Sequence, residues 1–469
     1  MIYNNSIIHF LKKIEHKGID YIIWKNIHEI GQALSGRRDL DVYINCYDFI
    51  KFDKIAKQDL WVKLKNPVAD YPNTHHYYKY SNDSFYHIHL YTKVITGESW
   101  LKEFIFDIND LFFKNKILHK KYKIWILNDP ARSSIFLMRH LLKNASLTSR
   151  LTYKLEYRSY LNEWSSIRKK KINSDFQKFF NFSKIDLKFL QSKHLEIPSP
   201  FTSLIFRFKN YSKLRFFFLL LPFLRIFNFL NRLLNKVFYK NKKIFCKKGF
   251  VVSICGVDGS GKSTLVRGIS NKFSEIITVR KMNLGNPFPY LLNIYFFFIK
   301  TKRATKNEVA NFGMNNTLFF HIKAIVLVLL RIIKSLEARR YKANGFLVIS
   351  DRWPSQIEGM DGPKNTNLKT NFLVIFTEIE KYLYKKIFYS DLSIFLKVSL
   401  DNLLYRNRQR NKANKENDNE IILRYRENYS RYISISTKTI YFENNSNNYR
   451  AQLDKIMRLL WSEICKYDQ

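Results

Sequence analysis

Apolar and polar positions follow two different rhythms along the chain. In the first part the signals are mixed. Ser6 to Lys17 carries apolar residues at helical spacing, and Tyr21-Ile-Ile-Trp24 then reads as a strand. In Asp39-Leu-Asp-Val-Tyr-Ile44 the two acids alternate with Leu40 and Val42, so on a strand both carboxylates share one face. Tyr86-His-Ile-His-Leu-Tyr91 is a further strand. Asp129-Pro-Ala-Arg opens a helix, with the acid as cap and Pro130 in the first turn. Ile135, Leu137, Met138, Leu141 and Leu142 then recur at helical spacing, and basic, aromatic helices continue to about Lys193.

From residue 249 strands and helices alternate regularly. Strands are expected at Phe250-Val-Val-Ser-Ile254, Ile276 to Met282, Phe346 to Asp351, Leu392 to Val398 and Ile440 to Asn444. Helical patterns follow at Leu265, Leu318 to Ile333 (continued to Tyr341), Leu400 and Tyr449 to Ile464. Tyr290 to Ile299 is a further apolar stretch. The segment Leu318 to Ile333 carries His321, Lys323 and Arg331, which favours a buried helix over a membrane span.

Ile197-Pro-Ser-Pro-Phe201 marks a boundary between these parts. Beyond it lies Leu214 to Leu230, dominated by Phe and Leu, and then Lys236 to Lys248, rich in lysine. The uncharged run Phe216 to Leu224 is far shorter than the ~20 residues needed to span a bilayer, and Pro222 interrupts it. Two readings stay open: a helix lying in a membrane interface, or an interdomain helix packed on the last domain. The expected domains are residues 1–125, a helical extension 126–195, a basic aromatic connector 196–248, and 249–469.

Composition changes this picture little. With 469 residues and 46% apolar content the chain has material for several cores. The formal charge of +41 invites a nucleic-acid reading. Yet Lys, Asn, Ile, Phe and Tyr are abundant together while Gly, Ala and Pro are scarce, the bias of AT-rich codons. An anionic membrane surface or a phosphorylated substrate is therefore preferred to nucleic acid as a partner. Cys46, Cys246, Cys255 and Cys465 form no C-x-x-C pair, and the N-terminus shows no secretory pattern. A cytoplasmic protein is expected, with contact at the inner face of the membrane as an option.

The chemistry concentrates in Gly256-Val-Asp-Gly-Ser-Gly-Lys-Ser-Thr264. A strand in front and a helix behind make this a phosphate-binding loop. Gly256, Gly259 and Gly261 let backbone N–H groups converge on phosphate oxygens, with Asp258, Ser260 and Thr264 completing the cradle. Lys262 reaches the β- and γ-phosphates, and the Ser263 hydroxyl ligates Mg²⁺. A nucleoside triphosphate is the implied ligand. Asp351, ending a buried strand, is placed to hold Mg²⁺, and Arg352 to meet an anionic acceptor. Arg406 and Arg410 share one helix face while Arg408 points elsewhere, in what looks like a lid.

In the first part, Asp39 and Asp41 can hold Mg²⁺ through hard oxygen ligands. With Lys25, Gly36 and Arg38 they resemble an uncharacterised branch of the nucleotidyltransferase superfamily, and His75-His76 and the strand through His89 fit that branch. The superfamily's third carboxylate would fall on that later strand, where this sequence has His89.

Residues 250 to 469 resemble the thymidylate kinase-like group of P-loop kinases, through the glycine loop, Ser350-Asp-Arg-Trp353 and the arginine-rich lid. The resemblance implies a doubly wound parallel α/β sheet, ATP and Mg²⁺ as cofactors, and phosphoryl transfer. It further implies that Asp258 faces the acceptor's hydroxyl and Arg352 its phosphate. The transition-state arginine would come from Arg406, Arg408 or Arg410. Asn283-Leu-Gly-Asn-Pro287 stands where thymidylate kinases carry Arg-Glu-Pro, and the segment after Trp353 departs as well. The resemblance implies a nucleoside monophosphate or related small molecule as acceptor, but these departures keep the family's base-reading residues from being carried over. The alternatives are a sugar or lipid-linked glycan of surface-polysaccharide synthesis, or an ATP-binding membrane-surface module without turnover.

Overall fold

The computed structural model describes residues 5–98, 101–167, 171–192, 194–257, 259–285, 287–288, 315–354, 371–409, 418–426, 436–446 and 448–468. The chain forms two compact units, residues 1–243 with 460–469, and residues 244–459. The apolar stretch expected at Tyr290 to Ile299 lies outside the described residues.

The first unit opens with α1 (Ser6–His16), whose N-terminus is capped by Asn5: its side chain accepts from the Ile7 N–H at 3.0 Å. Ile7, Phe10, Leu11 and Ile14 recur at helical spacing, and all four are buried. Nine strands follow among the described residues: β1 (Tyr21–Ile23), β2 (Asp39–Ile44), β3 (Val62–Lys65), β4 (Thr74–Ser81), β5 (Ser84–Tyr91), β6 (Val94–Thr96), β7 (Phe104–Phe106), β8 (Lys116–Leu118) and β9 (Trp125–Leu127). Seven of them lie in the order β3-β4-β5-β2-β1-β9-β8, and β6 pairs with β7. Strand β2 runs parallel to β5 and antiparallel to β1.

Helix α2 (Asp129–Lys143) starts where Asp129-Pro130 predicts, but the cap is Asn128. Its side-chain oxygen accepts from the Ala131 N–H at 3.0 Å, while Asp129 is already helical and pairs with Arg132 at 2.9 Å. Pro130 thereby keeps its place in the first turn. Ile135, Leu137, Met138 and Leu141 of this helix share one hydrophobic core with the sheet and with Phe176 and Phe206. Two later helices, α3 (Pro200–Lys209) and α4 (Leu221–Leu234), also belong to this unit.

The second unit is built on β10 (Phe250–Gly256), α5 (Lys262–Phe273), β11 (Val279–Asn283), α6 (Asn315–Ala343), β12 (Leu347–Asp351), α7 (Asn371–Tyr384), β13 (Leu392–Lys397), α8 (Leu400–Arg408), β14 (Thr439–Glu443) and the start of α9 (Tyr449–Asp468). Among the described residues, its central sheet has five strands, all parallel, in the order β11-β12-β10-β13-β14. The chain starts in the middle and winds to one side, then to the other. This topology leaves a crevice at the carboxyl end of the central strand. Strands buried on both faces need continuous apolar runs, and Phe250-Val-Val and Leu347-Val-Ile supply them. Helix α6 carries Arg331 inward, where Nε donates to the Leu284 carbonyl at 3.0 Å and Nη1 to the Tyr384 hydroxyl. Among the described residues no helix is long and apolar enough to cross a membrane.

His140 in α2 gives the first unit a pH dependence. It is buried, with Tyr153 Oη 2.6 Å from Nδ1 and Nε2 donating to the Glu196 carbonyl at 2.7 Å. Burial pulls its pKa from the ordinary 6.5 to about 4, against the pull of the Glu196 hydrogen bond. A depressed histidine contributes stability that is fully present above its unfolded pKa and is lost as pH falls towards the folded value. Denaturant unfolding between pH 6.5 and 4 should therefore lose about 1.4 kcal/mol per pH unit through this group. The slope should flatten by that amount in His140→Gln.

Candidate active site and metal cluster

Strand β10 runs straight into the glycine loop. Gly256 has φ 143° and Gly261 has φ 90°, backbone conformations that a side chain strains. A Cβ at Gly256 would also meet the Leu396 carbonyl at 2.9 Å, and one at Gly261 the Asn444 amide at 2.9 Å. Lys262 opens α5 and folds over its own loop, Nζ donating to the carbonyls of Gly256 and Val257, both at 2.9 Å. Asn444, just past β14, is buried and donates from Nδ2 to the Ser260 carbonyl at 2.7 Å, which fixes the loop's outer wall.

Parallel pairing sets Ile254 of β10 opposite Asp351 of β12. The acid thereby reaches the first turn of α5, where Ser263 Oγ donates to Asp351 Oδ2 at 2.6 Å. The other carboxylate oxygen, Oδ1, is buried and accepts no hydrogen bond from the described residues. A buried carboxylate oxygen left unmatched is costly unless something cationic meets it. A hydroxyl and a carboxylate are the hard oxygen donors that Mg²⁺ selects, so these residues fit that ion and would hold it. Arg352 adopts φ 75°, rare for a residue with a side chain. Its N–H donates to the Ile254 carbonyl at 3.2 Å, and the Ser350 hydroxyl donates to its carbonyl at 2.7 Å.

Beside the loop lies a cleft of about 290 Å³ lined by Gly259, Gly261, Thr264, Arg406, Asn444 and Tyr449, among others. The three arginines expected in a lid divide. Arg406 lines this cleft and donates to the Ser446 carbonyl at 3.4 Å. Arg408 turns to Asp418, with contacts at 3.0 and 2.8 Å. Arg410 and Asp258 lie outside the described residues. Asn444 and Tyr449 escaped the sequence reasoning; the signal for them was their position directly after the last strand.

In the first unit, the parallel register sets Asp41 opposite His89. Asp39, Asp41 and His89 bring three potential ligand atoms within 4.8 Å of one another. His89 Nδ1 lies 3.2 Å from Asp41 Oδ1 and 3.5 Å from Asp39 Oδ2. Lys25 Nζ lies 3.0 Å from Asp41 Oδ1 and donates to the Tyr91 hydroxyl at 2.9 Å, and Asn26 donates to Asp41 Oδ2 at 2.9 Å.

Burial, the largest influence, would raise the Asp41 carboxyl, but Lys25 and His89 together outweigh it and hold the pKa below the usual range. The same contest at Asp39 is won by the hydrogen bond with His89, with His87 and Lys25 adding to it. Burial would lower Lys25, yet Asp41 raises it, so the pair stays ionised. His76 stacks on His89 with ring centroids 4.3 Å apart, and Tyr78 stacks on His87 at 4.2 Å. Burial pushes His87 down to about 3 and Lys102, nearby, down to about 7. Lys102 was not foreseen either, since its burial comes from the tertiary fold.

Strand order, glycine loop and the acid on the neighbouring strand together describe a P-loop unit with a kinase-like α/β fold. No protein-family model matches the chain, and no curated protein matches it. Among solved structures, the thymidylate kinase from Ehrlichia chaffeensis aligns over 47% of this chain and 100% of its own. The identity is 13% and the TM-score 0.27. At that score the similarity carries no argument, and the fold reading stands on strand order and loop geometry.

The Asp39, Asp41, His89 set combines two carboxylates with an imidazole, a donor set better matched to Mn²⁺ or Zn²⁺ than to Mg²⁺. Calorimetric titration of the full chain should show Mn²⁺ binding at least roughly tenfold tighter than Mg²⁺ at this cluster. His89→Ala should abolish that preference, whereas Lys25→Met, which removes the competing cation, should tighten binding.

Proposed function

We propose that residues 244–459 transfer the γ-phosphoryl group of ATP to a small acceptor of the nucleoside monophosphate kind. The observation that carries this reading is the Ser263–Asp351 hydrogen bond at 2.6 Å beside a positive-φ glycine loop, with Asp351 Oδ1 unmatched. The loop N–H groups bind the phosphates, and the N-terminus of α5 adds its partial positive charge. Lys262 exchanges the carbonyls of Gly256 and Val257 for phosphate oxygens. Mg²⁺ held by Ser263 and Asp351 would neutralise charge on the transferred phosphoryl group. An acceptor oxygen attacks the γ-phosphorus in line, the bond to the β-phosphate oxygen breaks, and ADP leaves. Arg406, on the wall of the cleft, supports the nucleotide end, and Arg352 faces the acceptor.

A sugar or lipid-linked glycan is the second reading, and one feature favours it. The turn after β11 closes on itself, Asn283 Oδ1 accepting from the Gly285 N–H at 2.8 Å, and Asn283-Leu284-Gly285 carries no cation. A neutral turn suits a hydroxyl-rich acceptor better than a second phosphate. For the first unit we propose cation binding at the Asp39–His89 cluster, with two-metal nucleotidyl transfer set aside for want of a third carboxylate.

ADP release from Mg·ATP, with and without thymidine monophosphate, tests the main reading. Stimulation by the nucleotide is expected. Lys262→Ala should abolish it, and Asp351→Asn should lower turnover by roughly 10²–10³-fold. Nucleotide binding without stimulation would move the acceptor to sugars and glycans. If neither binding nor turnover depends on Lys262, the proposal fails.

A further inference from the structure

Residues 197–243 hold four arginines, six lysines and no Asp or Glu. The structure sorts these cations. All four arginines turn inward. Arg207 pairs with Glu103 and lies 3.6 Å from Glu98. Arg225 grips Glu98 through both carboxylate oxygens, at 2.7 and 2.9 Å. Arg215 donates to the Lys102 carbonyl at 3.1 Å and Arg232 to the Tyr71 hydroxyl at 2.9 Å. Helices α3 and α4 are thus pinned through their polar sides to one buried acid pair, Glu98 and Glu103.

What remains outside is apolar, at helical spacing. On α4, Phe223, Ile226, Phe227 and Leu230 stand at i, i+3, i+4 and i+7, with Phe223 72% and Phe227 61% exposed. On α3, Phe201, Leu204, Ile205 and Phe208 repeat the same spacing, with Phe201 72% and Phe208 76% exposed. Past α4 the pattern continues to Phe238, and Lys236, Lys240 and Lys242 are exposed around it. Isolated exposed apolar residues need no explanation, but two amphipathic helices doing this together mark an interaction surface.

We propose that the outer faces of α3 and α4 dock this protein on an anionic phospholipid surface. Bulky Phe and Leu side chains with exposed lysines just past the end of α4, on helices too short to span, suit a helix lying in the headgroup layer. The lysines supply the complementary charge, each contributing attraction only close to the lipid surface. A second copy of the same face is a poor occupant, because it would set lysines against lysines. The proposal concerns the first unit and stands apart from phosphoryl transfer by the second.

Co-sedimentation of the full chain with vesicles decides the matter. The chain should pellet with equimolar phosphatidylcholine and phosphatidylglycerol, less at high salt, and weakly with phosphatidylcholine alone. Phe223→Asp with Phe227→Asp should cut binding at least roughly tenfold. Lys236→Glu with Lys240→Glu should remove the preference for phosphatidylglycerol while leaving the apolar face intact. Circular dichroism should be unchanged in both, since all four positions are exposed. The proposal is overturned if the unaltered chain ignores anionic vesicles or if neither double variant weakens binding. It is also overturned if the chain sediments without lipid as a dimer that Phe223→Asp with Phe227→Asp dissociates.

Discussion

Ser263 and Asp351 are 88 residues apart in sequence and share a 2.6 Å hydrogen bond. The parallel ladder between β10 and β12 makes that contact: with Ile254 opposite Asp351, the acid emerges level with the start of the glycine loop. A shift of one residue would turn the carboxylate to the other face of the sheet. The loop could then still form, but with no oxygen donor beside its hydroxyl. The rest of the second unit serves this register. Val251, Val252, Val348 and Ile349 are buried on both faces of the sheet, so slippage would expose or crowd a well-packed layer. Arg331 and Asn444 then secure the flanks, one tying α6 to the end of β11 and α7, the other closing the loop from the far strand.

The same economy of charge runs through the first unit. An ion pair taken out of water gains little unless its remaining donors and acceptors are matched. Lys25 and Asp41 meet that condition through Tyr91 and Asn26. Arg225 meets it through a two-pronged grip on Glu98. Arginine suits such sites because its planar fork matches a carboxylate, whereas lysine keeps a strongly hydrated point charge. The inward arginines and the outward Lys236, Lys240 and Lys242 follow from that difference. A composition that reads as a uniform basic excess is thus two populations with separate work.

Local signals carried much of this into the sequence. The strands of the second unit are legible because fully buried parallel strands are unbroken apolar runs, and the glycine loop because only glycine tolerates its φ values at Gly256 and Gly261. The shared face of Asp39 and Asp41 follows from strand periodicity, and the pairing of Asp41 with His89 adds what periodicity cannot: which distant strand lies alongside. Contacts made by a single hydrogen bond over long separations left no trace. Nothing near Asn444 points to Ser260, and nothing near Arg408 names Asp418 as its partner. The cap of α2 fell one residue from its expected place because Asn128 and Asp129 are both competent caps, and Pro130 is comfortable at either of the first two helical positions.

The acceptor side of the second unit can be narrowed by strain. Arg352 holds φ 75°, a conformation costing on the order of 1–3 kcal/mol, and two hydrogen bonds, from its own N–H to Ile254 and from Ser350 to its carbonyl, keep it there. Relaxing the backbone would swing the side chain away from the end of β12, where Asp351 stands. Under the proposed function that strain would have a use: it fixes the origin of a guanidinium beside the Ser263–Asp351 oxygen pair. Across from it, the Asn283–Gly285 turn offers backbone and amide groups but no charge. Under the proposed function, an acceptor would meet the Arg352 guanidinium and, among the described residues of the turn, neutral hydrogen-bonding groups. That pattern suits a molecule with one anionic group and several hydroxyls, a description shared by a nucleoside monophosphate and a sugar phosphate. Discrimination between them then rests on what contacts the uncharged part of the acceptor, where a group left unpaired in a buried site costs far more than a missing methyl.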